Sequence, residues 1–224
     1  MEHITSELLL RAYGMGVFPM APDSQSDELE WFCPQERGII PLETPALPRR
    51  LMRTVMAGQY RLCSDEDFDG MMLACAQMTP SRTETWISGR IRQLYGELHR
   101  QGHAHSVEVR DRESCALVGG LYGVSLRGAF FGESMVSRVR DASKMALVHL
   151  MAALRQGGYS LLDTQYVTPH LASLGCVGVS SATYGRKLAA AMQEEARWPG
   201  DVSLEALRPE LERLAERPGK GTGG

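Results

Sequence analysis

Residues 128–165, GAFFGESMVSRVRDASKMALVHLMAALRQGGYSLLDTQ, decide the fold class. Ala129 to Ser134 reads as a strand, with Phe131 and Glu133 on one face and Phe130, Gly132 and Ser134 on the other. Asp141 or Ser143 then caps a long helix on which Leu147, Leu150, Met151 and Leu154 form one stripe, and Gly157-Gly158 closes it. Tyr159 to Asp163 follows as a buried strand. Strand, helix, strand in that order predicts an α/β sheet of mixed strand direction, with a right-handed crossover after Ser134.

Working outward, Ser106 to Arg110 and Ala116 to Val124 complete a meander with Ala129 to Ser134, joined at Asp111-Arg112-Glu113-Ser114 and at Arg127-Gly128. Ile91, Leu94, Tyr95 and Leu98 fall at helical spacing within Arg90 to Arg100. Asp65 to Gln77 reads as a helix with an acidic first turn. Towards the start, Thr5 or Ser6 caps a helix from Glu7 to about Tyr13, and Phe18-Pro19-Met20 begins a loop. Leu29 to Cys33 and Gly38 to Leu42 read as two strands around a Pro34-Gln35-Glu36-Arg37 turn. Downstream come a short helix from Thr168-Pro169, a strand near Val177 to Val179, a helix from Ala182 to Glu195, and an amphipathic helix from Leu204 to Leu214.

The 224 residues are 43 % hydrophobic and 23 % charged, which argues against disorder, coiled coil and low complexity. A net charge of −3 excludes a surface coated throughout with basic groups, so a polyanionic partner would have to meet a local patch. Five widely spread cysteines with no CxxC pair read as free thiols of a reducing compartment. No secretory signal opens the chain, and its most apolar stretch is too short to span a bilayer. A cytoplasmic protein without a membrane partner is expected.

Several motifs fail on inspection. Asp65-Glu66-Asp67-Phe68-Asp69-Gly70 begins like a calcium loop, but Ala76 stands where the bidentate Glu is needed. Gly102 separates His99 from His103 and no third ligand is near in sequence, so no metal is expected. Gly123-Val124-Ser125-Leu126-Arg127 lacks the last glycine of a nucleophile elbow.

Two segments resist a purely structural reading. Glu133 places a carboxylate in an apolar strand, where burial costs several kcal/mol on order-of-magnitude grounds unless a cation or donors meet it. A salt bridge to Arg138 or Lys144 is the structural alternative. Asp163 and Gln165 stand at the end of a buried strand, the place where open α/β sheets bind ligands. A loop-capping role for Asp163 is the alternative there. Together Glu133, Asp163 and Gln165 supply an ammonium partner, an orienter or base, and an amide donor, a set suited to chemistry on an amine and a carbonyl.

Ordered blocks along the chain resemble the bacterial leucyl/phenylalanyl-tRNA–protein transferases. They are Ala12-Tyr13, Gly16-Val17-Phe18-Pro19, Thr85-Trp86-Ile87, Gly102 to Glu108, Gly119 to Val124, Phe131 to Met135 with Ser137-Arg138, Asp141 to Lys144, Asp163-Thr164-Gln165, and His170 with Ser173-Leu174-Gly175. The resemblance implies a small N-terminal lobe over residues 1–36, an N-acetyltransferase-like mixed-sheet domain over 37–216, and a disordered tail over 217–224. It implies transfer of Leu or Phe, with Met as a further donor, from aminoacyl-tRNA to the N-terminal Arg or Lys of a protein, which marks that protein for degradation. It also implies that neither a metal nor acetyl-coenzyme A takes part.

The resemblance also assigns residues. Asp163, Gln165 and Glu133 are the catalytic set. Leu121, Phe130, Met135, Leu150 and Leu162 surround the donor side chain, with Trp86 and Ser137 also on the substrate. Arg49, Arg50 and Arg53 hold tRNA phosphates, against the alternative of a solvated helix face. Many members carry Trp after Phe-Pro, where this chain has Met20. A non-catalytic adaptor for basic N-termini and an acetyl-coenzyme A-dependent N-acetyltransferase remain alternatives, the second disfavoured because no glycine-rich pyrophosphate turn opens the Asp141 helix. Asp163→Ala is expected to cut transfer while the fold survives.

Overall fold

A computed structural model describes residues 4–43, 45, 47–78 and 83–216. The expected 217–224 tail lies outside them. The described elements run α1 (Ser6–Gly14), β1 (Phe18–Met20), β2 (Glu30–Phe32), β3 (Glu36–Ile40), α2 (Arg49–Met56), β4 (Arg61–Ser64), α3 (Phe68–Ala76), α4 (Gly89–Arg100) and β5 (Ala104–Arg110). They continue with β6 (Leu117–Leu126), β7 (Ala129–Ser137), α5 (Ala142–Gln156), β8 (Leu161–Gln165), α6 (Pro169–Ala172), β9 (Val177–Ser180), α7 (Ser181–Ala191) and α8 (Leu204–Ala215). Small polar residues start most helices by accepting an orphan backbone N–H: Thr5, Asp67, Ser88, Thr168, Ser180 and Ser203. Asp141 precedes α5 in a left-handed conformation (φ 62°) and makes no such side-chain bond.

Seven strands form one mixed sheet in the order β4-β5-β6-β7-β8-β3-β9, and β1-β2 form a separate antiparallel pair. Within the large sheet β7 and β8 are parallel, joined through α5, and the other pairs are antiparallel. One face packs against α2, α5 and α8, the other against α1, α3, α4 and α7. Alternation along β6 serves both layers: Leu121 enters the first, while Tyr122 and Val124 enter the second. Helix α5 is apolar nearly all round, and each Leu it buries contributes about 2–3 kcal/mol. His149 sits in this interior and donates from Nδ1 to the Val202 carbonyl at 2.8 Å.

The mixed α/β architecture expected from residues 128–165 is present, with differences in detail. Phe18–Met20 is a strand and not the start of a loop, because it pairs with β2. The two strands flanking Pro34–Arg37 do not form a hairpin with each other: β2 pairs with β1, while β3 inserts between β8 and β9. Strand β4, at the sheet edge, carries no alternation long enough to read. The helix expected from Asp65 begins only at Phe68, since Asp67 is its cap and Asp65 takes a left-handed turn (φ 58°) to meet His105. The expected division at residue 36 coincides with the first residue of β3, and α1 shares an apolar cluster with α3 and α4.

Candidate active site

The parallel strands β7 and β8 pair from Ala129↔Leu161 to Phe131↔Asp163, and beyond that β7 continues alongside β6 alone. The two strands therefore part at Gly132 and Thr164. Each carries an irregularity at the parting. On β7, Gly132 faces Gly123 and Ser134 faces Tyr122, so Glu133 is an extra residue, a bulge. Bulges re-aim side chains, and this one reverses the alternation after it. Ser134 thereby moves to the face of Phe131, contrary to strict alternation, and Met135 joins the face of Phe130. On β8, Asp163 faces Ile39 and Gln165 faces Gly38, leaving Thr164 over. Gln165 adopts φ 58°, and a Cβ at Gly38 would lie 2.6 Å from the Tyr166 backbone, so only glycine fits beside this turn.

Glu133 meets donors and no cation. Tyr13 Oη donates to Oε1 at 2.7 Å, Tyr95 Oη to Oε2 at 3.1 Å, and Gln165 Nε2 to Oε1 at 3.3 Å. The two phenol oxygens also lie within hydrogen-bond reach of each other, and since each phenol carries one proton, that contact competes with the bonds to Glu133. Burial pushes the Glu133 carboxyl up to about 7, and the two phenol hydrogen bonds only partly offset it. Burial, reinforced by the Glu133 charge, raises both phenols well above their ordinary value, so they stay protonated as donors. The alternative salt bridge is absent: Arg138 bonds to Leu117 O and Gln77, and Lys144 pairs with Asp141.

Asp163 is fully buried and fully occupied. Arg37 Nε and Nη2 reach its oxygens at 2.9 and 2.7 Å, Tyr184 Oη donates at 2.5 Å, and the Gln165 backbone N–H donates at 2.8 Å. Arg37 is itself buried, its guanidinium 4.7 Å from the Phe18 ring centroid and 4.6 Å from that of Tyr184, with Nη1 on the Gly16 carbonyl. Asp163 thus fixes the backbone of Gln165 and presents no free lone pair to a ligand.

An apolar cavity of about 50 Å³ adjoins the pair, lined by Leu121, Met135, Leu147, Leu150, Leu162 and Leu171 with Glu133 and Thr164 at its polar edge. Elsewhere, α2 buries Leu51, Met52 and Val55 and leaves Arg49, Arg50 and Arg53 exposed. Arg49 and Arg53 border an open groove with Met52, Met56 and Ala215. Among the described residues none of the three arginines has a carboxylate within ion-pair distance. Cys63, Glu66 and Glu108 are the one group of three possible metal ligands that comes together among the described residues. Arg61 and Arg110 already pair with its carboxylates, and burial pushes the Cys63 thiol up to about 12, a donor set ill suited to a cation.

Residues 39–189 match the family model described as leucyl/phenylalanyl-tRNA protein transferase, and residues 2–35 match the model of that family's N-terminal domain. The chain belongs to this family of aminoacyl-transferring enzymes. It is 58 % identical over 224 residues to the leucyl/phenylalanyl-tRNA–protein transferase of Gluconobacter oxydans, covering 100 % of this chain and 99 % of that one. The transferases of Afipia carboxidovorans (51 % identical, 93 % and 89 % covered) and Paramagnetospirillum magneticum (50 %, 88 % and 93 %) are also similar.

Within this transferase family member, the residues expected from sequence fall into two groups. Glu133 and Gln165 meet directly, Asp163 stands behind Gln165, and Leu121, Met135, Leu150 and Leu162 line the cavity. Phe130 is buried and stacked on Trp198, and does not line the cavity. Ser137 is the last residue of β7, its hydroxyl donating to the Val139 carbonyl and accepting from Ser143 N–H, and Trp86 packs against the α3–α4 side. Sequence reasoning gave no role to Tyr13, Tyr95, Arg37, Tyr184, Leu147 or Leu171. Tyr95 sits on the apolar stripe of its helix and Tyr13 at the end of another, while Arg37 falls in the expected Pro34–Arg37 turn between Glu36 and Gly38, which gives no sign of its burial.

Proposed function

We propose that this enzyme transfers Leu or Phe, with Met as a further donor, from aminoacyl-tRNA to the N-terminal Arg or Lys of an acceptor protein. It would do so in the cytoplasm, where charged tRNA is made. The observation that carries this reading is the meeting of Glu133 and Gln165, 3.3 Å apart, beside an apolar cavity at the point where β7 and β8 part. The cavity takes the donor side chain, and the polar edge holds the ester and the attacking amine.

Aminoacyl-tRNA is an activated ester, so alignment accounts for most of the rate. About a tenth of an α-amino group is neutral at pH 7. Its nitrogen attacks the ester carbonyl carbon, the bond to the ribose oxygen breaks, and one amine proton leaves. Gln165 orients the amine through its amide oxygen, held in place by Asp163 from behind. Glu133 meets an ammonium, either the donor's own or that of the acceptor, and the departing ribose oxygen takes the proton. Arg49, Arg50 and Arg53 hold tRNA phosphates, which explains how a chain of net charge −3 engages a polyanion.

The test mixes the protein with radiolabelled Leu-tRNA and a peptide beginning with Arg. Label on the peptide supports the reading. Retention of all label on tRNA, or label moving instead from acetyl-coenzyme A, overturns it.

A further inference from the structure

One wall of the cavity differs from the others. Leu121, Met135, Leu147, Leu150 and Leu162 stand on β6, β7, α5 and β8, elements fixed within the sheet or along a 15-residue helix. Leu171 closes the cavity from α6, which is four residues long and buries none of its side chains. Its backbone is tied locally, with Leu171 N on Thr168 Oγ1 and its carbonyl accepting from Leu174 and Cys176 N–H.

Size decides what this arrangement admits. An apolar cavity of about 150 Å³ holds a benzene ring. The space here is about 50 Å³, near a third of that. A benzyl side chain therefore needs the cavity to widen, and a flexible or slimmer aliphatic chain needs less. Leu121, Leu147, Leu150 and Leu162 belong to the buried core, where displacement disturbs the packing, and Met135, though half-buried, is held on β7 by its pairing with β6; Leu171 is half-buried on the short surface helix.

We propose that Leu171 is the donor-selecting residue of this enzyme, whose side chain sets how readily Phe enters relative to Leu. This rests on the cavity being the donor pocket, as proposed above. A single methylene in an apolar pocket changes selectivity by about 10-fold or more. Shortening Leu171 therefore favours Phe over Leu, and enlarging it does the reverse.

The experiment uses the full chain and two unreactive donor mimics, the leucyl and phenylalanyl amides of 3′-amino-adenosine, with affinities measured by calorimetry. Leu171→Ala should raise the Phe-to-Leu affinity ratio about 10-fold, and Leu171→Phe should lower it. Because each ratio is taken within one protein sample, a partly unfolded fraction cancels. A ratio that moves less than about threefold in both variants overturns the proposal, as does failure of the unaltered protein to bind either mimic. A shifted ratio together with no transfer from any charged tRNA would uphold the selecting role and overturn the transferase reading.

Discussion

Arg37 and Asp163 form a two-pronged ion pair in the interior of the protein, with the two side chains 1 % and 0 % exposed. Two rings flank the guanidinium, and both carboxylate oxygens are shared with Tyr184 and the Gln165 backbone. In the proposed reaction Asp163 acts only through Gln165, the residue it holds.

That pair changes what Asp163→Ala should do. Removing the carboxylate leaves a buried guanidinium without its partner, a loss of about 3–5 kcal/mol. Urea unfolding should show that loss alongside the loss of transfer. Replacing both partners by apolar residues, Arg37→Met with Asp163→Leu, should restore much of the stability and none of the transfer. Wild-type stability of Asp163→Ala would contradict the pairing.

In the proposed reaction Glu133 is expected to set a pH dependence. With its carboxyl pushed up to about 7 by burial, the charged form grows as pH rises through that value. Transfer should therefore climb between about pH 6 and 8, and Glu133→Gln should keep only the limb of the amine near pH 8. For stability the sign runs the other way. A carboxyl whose folded value lies above its unfolded one contributes fully below about pH 4.5, and that contribution is lost as pH rises through about 7. Unfolding of Glu133→Gln should be the less sensitive to pH over this window.

Charge reversal at Arg49, Arg50 and Arg53 should weaken tRNA binding and flatten its dependence on salt. Three lost phosphate contacts reduce the slope of log affinity against log salt by about 2–3. Filter binding across a salt series reads this directly, and unchanged affinity at low salt would remove the patch from the interface.

His149 is expected to make the protein sensitive to acid. Burial pushes its imidazole down to about 4, and Nε2 has no hydrogen-bond partner among the described residues. The unfolded chain takes up a proton near pH 6.5, so stability should fall by up to about 3 kcal/mol as pH drops from 6.5 to 4. His149→Gln, which keeps a donor for the Val202 carbonyl, should lose that part of the slope in denaturant titrations at several pH values.

Much of the framework was legible in residues 128–165, because periodicity of 2 and of 3.6 persists there long enough to read. Glu133 and Gln165 stood out because polar groups in apolar strands need an explanation. The bulge at Glu133 was not legible, since one extra residue leaves no mark in composition yet reverses every face after it. Tyr13 and Tyr95 were hidden for the opposite reason: Tyr95 completes an apolar stripe and Tyr13 ends a helix, so nothing signals the hydroxyls meeting on a carboxylate 120 and 38 residues away. Arg37 was read as a turn because its partner lies 126 residues on.

The carboxylate partners are scattered from Tyr13 to Tyr184 of a 224-residue chain. During synthesis, then, Glu133 has its phenols early, but Asp163 lacks its last donor until four-fifths of the chain has been made. A nascent or prematurely ended chain carries the arginines of α2 without a finished site. Helix α2 packs against α5 and against α8, the last described element, so its apolar face is covered later still than the site is completed.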